Sequence, residues 1–275
     1  MGRTWTPIAS SLLEAQNDDG GFGPRPGLPS EPEPTALATI ALDDARGRAW
    51  LGERQLSDGS VTFDAATVEN DSATAFAAIA FDAGDRREWA LDHLEATMAR
   101  TVPSTTDVPQ DASVHGWAWT EGTFGWVDPT ARAVLALRLF RPGVPAIDDG
   151  IGMLRDREAQ GGGWNYGNRT VFGDDLSPYA QTTASAMVAL QGVDPELEGR
   201  GLSMLRRLWR RERDGGLSVS LATTALRLHG DRDAVTSERQ VFDLFERTAF
   251  LGDVVALAWS AIATGPALAR LAVTP

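Results

Sequence analysis

The chain contains no cysteine and no lysine. Without cysteine it forms no disulfide, offers no thiolate to a metal and has no thiol nucleophile. Its three histidines, His93, His115 and His229, stand too far apart to make a local zinc motif. Positive charge is outnumbered: 25 arginines face 38 acidic residues, for a formal net charge of -13 at pH 7. Such a surface repels nucleic acid and anionic lipid at long range, so no nucleic-acid partner is expected. The local run Arg206, Arg207, Arg210, Arg211 and Arg213 reads as a solvated helix face. No stretch of about 18 apolar residues is present, so no membrane-spanning helix is expected. The first residues lack the basic-then-apolar pattern of a secretory signal, and the expectation is a soluble cytoplasmic protein.

What the chain does contain is a folded composition and a repeat. Hydrophobic residues make up 43% and charged residues 23% of 275, which is the balance of a chain with a large core. A unit recurs six times: an amphipathic helix, a Gly-rich turn, then a nearly uncharged helix rich in Ala, Thr and Leu. Residues 8–16 and 34–44 form the first copy, 49–55 and 71–81 the second, and 86–100 and 128–139 the third. Segments 151–160 and 178–191, 201–212 and 220–230, and 239–250 and 253–264 complete the set.

A helix charged on one face suits an outer layer. A helix of small uncharged residues suits an inner ring, where close approach is needed. The pattern predicts an all-α fold, an (α/α)6 toroid of six helical hairpins forming one domain over residues 1–275. Three long segments, 23–33, 101–115 and 165–177, break the rhythm. They are expected to gather at one rim, as loops carrying function do. Asp71, at the start of the second inner helix, reads as a cap.

Two motifs carry a resemblance to a known superfamily. Gln16 to Gly23 and Gln160 to Gly167 each follow the pattern Gln-x-x-x-Gly or Gln-Gly-Gly-Gly, closed by Phe or Trp, with weaker copies at Gln55 to Ser60 and Arg213 to Leu217. They resemble the repeats of squalene/hopene-type (class II) terpene cyclases and protein prenyltransferase β subunits. Trp126-Val127-Asp128-Pro129-Thr130-Ala131 is similar to the Asp-x-Asp-Asp-Thr-Ala segment of those cyclases. Asp128 falls on the middle acid, while Trp126 and Pro129 replace the outer two.

The resemblance implies a metal-independent terpenoid cyclase or isomerase without a cofactor. A linear isoprenoid would lie in the toroid cavity and take a proton from Asp128. The pair Glu31 and Glu33, before an equivalent Thr-Ala, is the rival source of acid. Trp117, Trp119, Trp126, Trp164, Tyr166, Tyr179 and Gln181 are the expected substrate-binding residues, since aromatic faces host a carbocation. Against this, Asp128 before Pro129 also reads as a plain helix N-cap, and a helix N-terminus favours the carboxylate. Two other readings stay open. One is a non-catalytic toroid binding a prenyl lipid or a protein. The other is a carbohydrate-active α/α barrel with two carboxyl groups about 5–10 Å apart.

Overall fold

The computed structural model describes residues 7–62, 71–99, 101, 103–120 and 122–274. The side chain of Asp71, and hence the cap assigned to it, lies outside the described residues.

The described residues form twelve α-helices: α1 Pro7–Glu14, α2 Pro32–Leu42, α3 Ala45–Glu53, α4 Asp71–Ala80, α5 Asp85–Ala96, α6 Val127–Phe140, α7 Pro145–Asp156, α8 Ala180–Ala189, α9 Pro195–Arg211, α10 Gly216–Leu228, α11 Ala234–Thr248 and α12 Val254–Thr264. The even-numbered helices pack side by side in chain order, and α12 packs on α2, so the inner ring closes. The odd-numbered helices cover it. This is the α/α toroid that the repeat predicts.

Composition explains the two layers. In α10 every residue from Ser218 to Leu226 is buried, as a helix packed on several sides requires. Its hydroxyls are satisfied within the ring: Thr223 and Thr224 donate to Val219 and Ser220 carbonyls, and Ser220 meets Ser260 of α12 at 2.5 Å. In α9 the buried residues are Leu197, Gly201, Met204, Leu205, Leu208 and Trp209, one face only. Asp194 caps α9 by accepting from the Glu196 and Leu197 amides, and Pro195 opens it.

The hairpins run in the opposite sense from the sequence units. Inner helices α2, α4, α6, α8 and α10 are each joined by a short connection to the outer helix they pack on, as from α2 to α3 and from α6 to α7. The long ones lead from outer to inner. The N-terminal helix α1 packs on α12 as well as on α2, which completes the outer layer.

A threonine in each of four inner helices fastens the long connections. Phe22 donates its N–H to Thr35 Oγ1 (2.8 Å), Val61 to Thr74 (3.0 Å), Trp117 to Thr130 (2.9 Å) and Trp164 to Thr183 (3.0 Å). Thr35, Thr130 and Thr183 donate back to the carbonyl of the same partner. The Gln motifs tie the turns outward. Gln16 reaches the Gly20 carbonyl and Asp44, the cap of α3, and Gln55 reaches the carbonyls of Gly59 and Arg86 in α5. Gly59 has φ +91°, and a Cβ there would stand 2.0 Å from the Trp89 carbonyl oxygen.

Of the three long segments, the second and third meet, where the Phe172 amide donates to Asp107 O (2.7 Å). The third carries a two-residue antiparallel hairpin, β1 Thr170–Val171 and β2 Asp174–Asp175. No described helix is long and apolar enough to cross a membrane.

Candidate functional site at the toroid mouth

The first turns of the inner helices bring charge to an otherwise apolar ring. Glu33 lies in the first turn of α2, and Asp128 in that of α6. Arg132 follows Asp128 by one helical turn, so the two share a face. Thr130, two residues on from Asp128, points roughly 200° away and binds the incoming loop. The same turn of helix therefore fastens the loop on one side and presents Asp128 and Arg132 on the other.

Arg132 Nη2 lies 2.6 Å from Asp128 Oδ2, and Nη1 lies 3.0 Å from Glu33 Oε1. Its guanidinium carbon stands 4.7 Å from the Phe76 ring centroid and 5.1 Å from that of Trp119. Burial works against the Arg132 charge, but Asp128 and Glu33 more than offset it and hold the guanidinium above its usual pKa. Beneath the cluster, Phe76 of α4 meets Trp259 of α12 edge to face at 5.8 Å. Side chains from inner helices that are not neighbours thus meet across the interior of the ring.

Asp128 does not stand alone: it is ion-paired to a buried guanidinium. Glu31 occupies the N-cap position of α2 with an extended backbone and makes no side-chain cap bond. Its amide donates to the Phe22 carbonyl. Glu31 is half-buried.

The aromatic residues divide into two sets. Trp117 and Trp164 are fully buried, and their indoles donate to the Leu94 and Leu154 carbonyls. Both pack between hairpins, which the sequence did not separate from the rim aromatics. Trp119 is half-buried against Arg132. Trp126, Tyr166 and Tyr179 are open, at 37%, 49% and 47% exposure. Tyr166 and Tyr179 lie 5.4 Å apart between ring centroids. Trp126 lies against Gly167, where a Cβ would come within 3.0 Å of its ring. The Val127 amide, next to Asp128, donates to the Tyr166 carbonyl.

Gln181 is placed in a helix-start network. Its Nε2 donates to Ser218 Oγ, Ser218 donates to Glu212, and Glu212 accepts from the Ala180 amide that opens α8.

Arg132 is the residue sequence reasoning missed. Its signal was present: a charge in the first half of an inner helix, where the pattern is otherwise nearly uncharged, four residues after the acid already singled out. Among the described residues no group of three or more His, Asp or Glu side chains could hold a metal ion.

No family model and no curated protein matches this chain. Solved structures do match in fold. One is an inactive variant of an α-1,6-mannanase from Salegentibacter sp. HEL1_6, with two neighbouring aspartates changed to asparagine, in complex with α-1,6-mannotriose. It has a TM-score of 0.60 at 11% identity and covers 93% of this chain and 98% of its own. A protein from Actinoplanes gives a TM-score of 0.56 at 15% identity, covering 96% and 98%.

These neighbours overturn the kinship with terpene cyclases and prenyltransferases drawn from the motifs. With it go the terpenoid cyclase activity and the isoprenoid partner, since the ligand held by the first neighbour is a mannotriose. The physical reason lies in the motifs themselves. The Thr-Ala segments and Gln-Gly turns fasten loops to helices, a task set by the toroid and independent of its chemistry. The chain is an α/α toroid similar in fold to a glycoside hydrolase.

Proposed function

We propose that this chain is a carbohydrate-active toroid that binds an oligosaccharide across its mouth. The observation that carries the reading is the open aromatic group of Trp126, Tyr166 and Tyr179, held to the start of α6 by the Tyr166 carbonyl at the Val127 amide, next to Asp128 of the Glu33–Arg132–Asp128 cluster. A sugar ring presents an apolar face of C–H bonds and an edge of hydroxyls. Aromatic faces with a few fixed polar groups are the matching lining. The fold shared with a mannotriose-binding mannanase supports the same ligand class.

Glu33 and Asp128 are the candidate acid pair. One guanidinium spans them, which brings them inside the upper limit of about 9.5 Å for the carboxyl pairs of glycosidases. Hydrolysis needs one of the two to carry a proton to the leaving oxygen. Arg132 occupies one oxygen of each while both ion pairs are made. In the hydrolase reading a bound sugar draws Arg132 away from one carboxyl group. Binding without turnover is the second reading, and the same two ion pairs favour it.

The test is a titration of α-1,6-mannotriose and a panel of other oligosaccharides, followed by tryptophan fluorescence, with products examined by mass spectrometry. Saturable binding that Trp126→Ala weakens is the expected result. Shortened products select the hydrolase reading, and intact sugar selects the binding reading. A panel that gives neither binding nor cleavage removes the proposal.

A further inference from the structure

Resting on the carbohydrate reading, we infer that the mouth selects a sugar bearing a protonated amine over its neutral or acidic counterparts. Three observations lead there.

The first is the charge balance. Two carboxylates, Glu33 and Asp128, face one guanidinium, and the chain as a whole carries -13. Arg132 is already taken up by both acids and lies between the Phe76 and Trp119 rings. An acidic sugar would have to compete with Glu33 and Asp128 for that one cation. An amine meets a site with negative charge to spare.

The second is the set of unused hydrogen-bonding atoms. Arg132 engages Oε1 of Glu33 and Oδ2 of Asp128. Glu33 Oε2 and Asp128 Oδ1 remain, on side chains 26% and 16% exposed. A carboxylate only accepts, and an ammonium group only donates, through three N–H bonds. Arg132 itself is 11% exposed, and its buried Nε and Nη1 have no hydrogen-bond partner, Nη1 making only the ion pair with Glu33. A buried donor left unmade is costly, and an oxygen of a ligand at the mouth is the acceptor it lacks. The site thus asks for a donor-only cation and a neighbouring oxygen, which an amino sugar carries on adjacent carbons.

The third is the aromatic group. Trp126, Tyr166 and Tyr179 offer open π faces, and the Tyr166 carbonyl bonds the Val127 amide next to Asp128; such faces attract a cation.

The experiment is isothermal titration of the full chain with three trimers: glucosamine, N-acetylglucosamine and α-1,6-linked mannose. It is run at a pH where the free amine is protonated, at low and at high salt. The glucosamine trimer is expected to bind on the order of tenfold more tightly than the other two, with the margin shrinking at high salt. Glu33→Gln is expected to narrow the margin. Asp128→Asn serves as the second variant, with circular dichroism checking that each folds. Equal binding of the acetylated and free-amine trimers overturns the amine preference and leaves the carbohydrate reading standing. Failure of all three, together with the wider panel above, overturns both.

Discussion

Arg132 of α6 and Glu33 of α2 meet at 3.0 Å although α4 stands between their helices in the ring. The contact therefore crosses the interior and ties together three inner helices, with Phe76 of α4 under the guanidinium. Arg132→Met keeps the bulk and removes the charge, leaving Glu33 and Asp128 facing each other without a counter-ion. Loss of one partner of a buried pair costs about 3–5 kcal/mol, and the partial exposure of the acids brings this to roughly 2–3 kcal/mol. Denaturant titration of Arg132→Met against the parent reads this directly. Glu33→Gln should cost less, because Asp128 still holds the guanidinium.

Thr130 joins its helix to Trp117 through a buried pair of bonds, at 2.9 and 3.4 Å. Thr130→Val preserves shape and leaves the Trp117 amide without an acceptor. The expected loss is about 1–3 kcal/mol in urea unfolding. Thr130→Ser, which keeps the oxygen, should lose markedly less. Equal losses would mean that packing of the methyl group, and not the hydrogen bond, fastens the loop.

Gly59 admits no side chain. Its φ of +91° is unfavourable for any L residue, and the Trp89 carbonyl occupies the place of the Cβ. Gly59→Ala must therefore move backbone against backbone. A drop in stability above about 1 kcal/mol is expected. Gly27→Ala makes a useful control, since its φ is +78° but nothing lies within 4 Å of its Cβ position.

Asp19 should contribute to acid sensitivity. Burial raises its carboxyl pKa, but the Gly21 amide, the Ser30 hydroxyl and the Trp50 indole outweigh burial and hold it below the ordinary value. A group with a depressed folded pKa stabilises the protein above its unfolded pKa of about 3.9. That contribution is lost as the pH falls through the lower folded value. Asp19→Asn should be less stable than the parent at neutral pH, and its stability should fall less steeply between about pH 4 and pH 2. Parallel acid-unfolding curves for the two proteins would show that Asp19 is not titrating in this range.

Much of the architecture was legible because it rests on composition. A ring of inner helices needs small uncharged residues, and that bias survives in a single sequence. The sense of the hairpins was harder to see, because motif and turn lie on the outer-to-inner connections while packing follows the inner-to-outer ones. The burial of Trp117 and Trp164 was hidden for a related reason. Both stand in glycine-rich loop sequence, yet hydrogen bonds from their amides to Thr130 and Thr183 draw those loops under the surface. Kinship was misread for the same cause. A threonine that anchors a loop is followed by alanine at Thr35, Thr74, Thr130 and Thr183, whatever the cavity above it does. Arg132 was passed over because its significance depends on Glu33, a residue 99 positions earlier that only the closed ring brings near.

The packing of α12 against α1 and α2 gives the molecule no free end in its helical ring. An open stack of repeats can fray from a terminus, one unit at a time. Here each inner helix is held on both flanks, and the seam joins segments more than 200 residues apart. Sealing that seam must wait until the intervening units have formed, which makes it a slow and late event in folding. Once it is sealed, loss of any one helix opens the whole circle, so melting should proceed as a single transition and not by stepwise peeling.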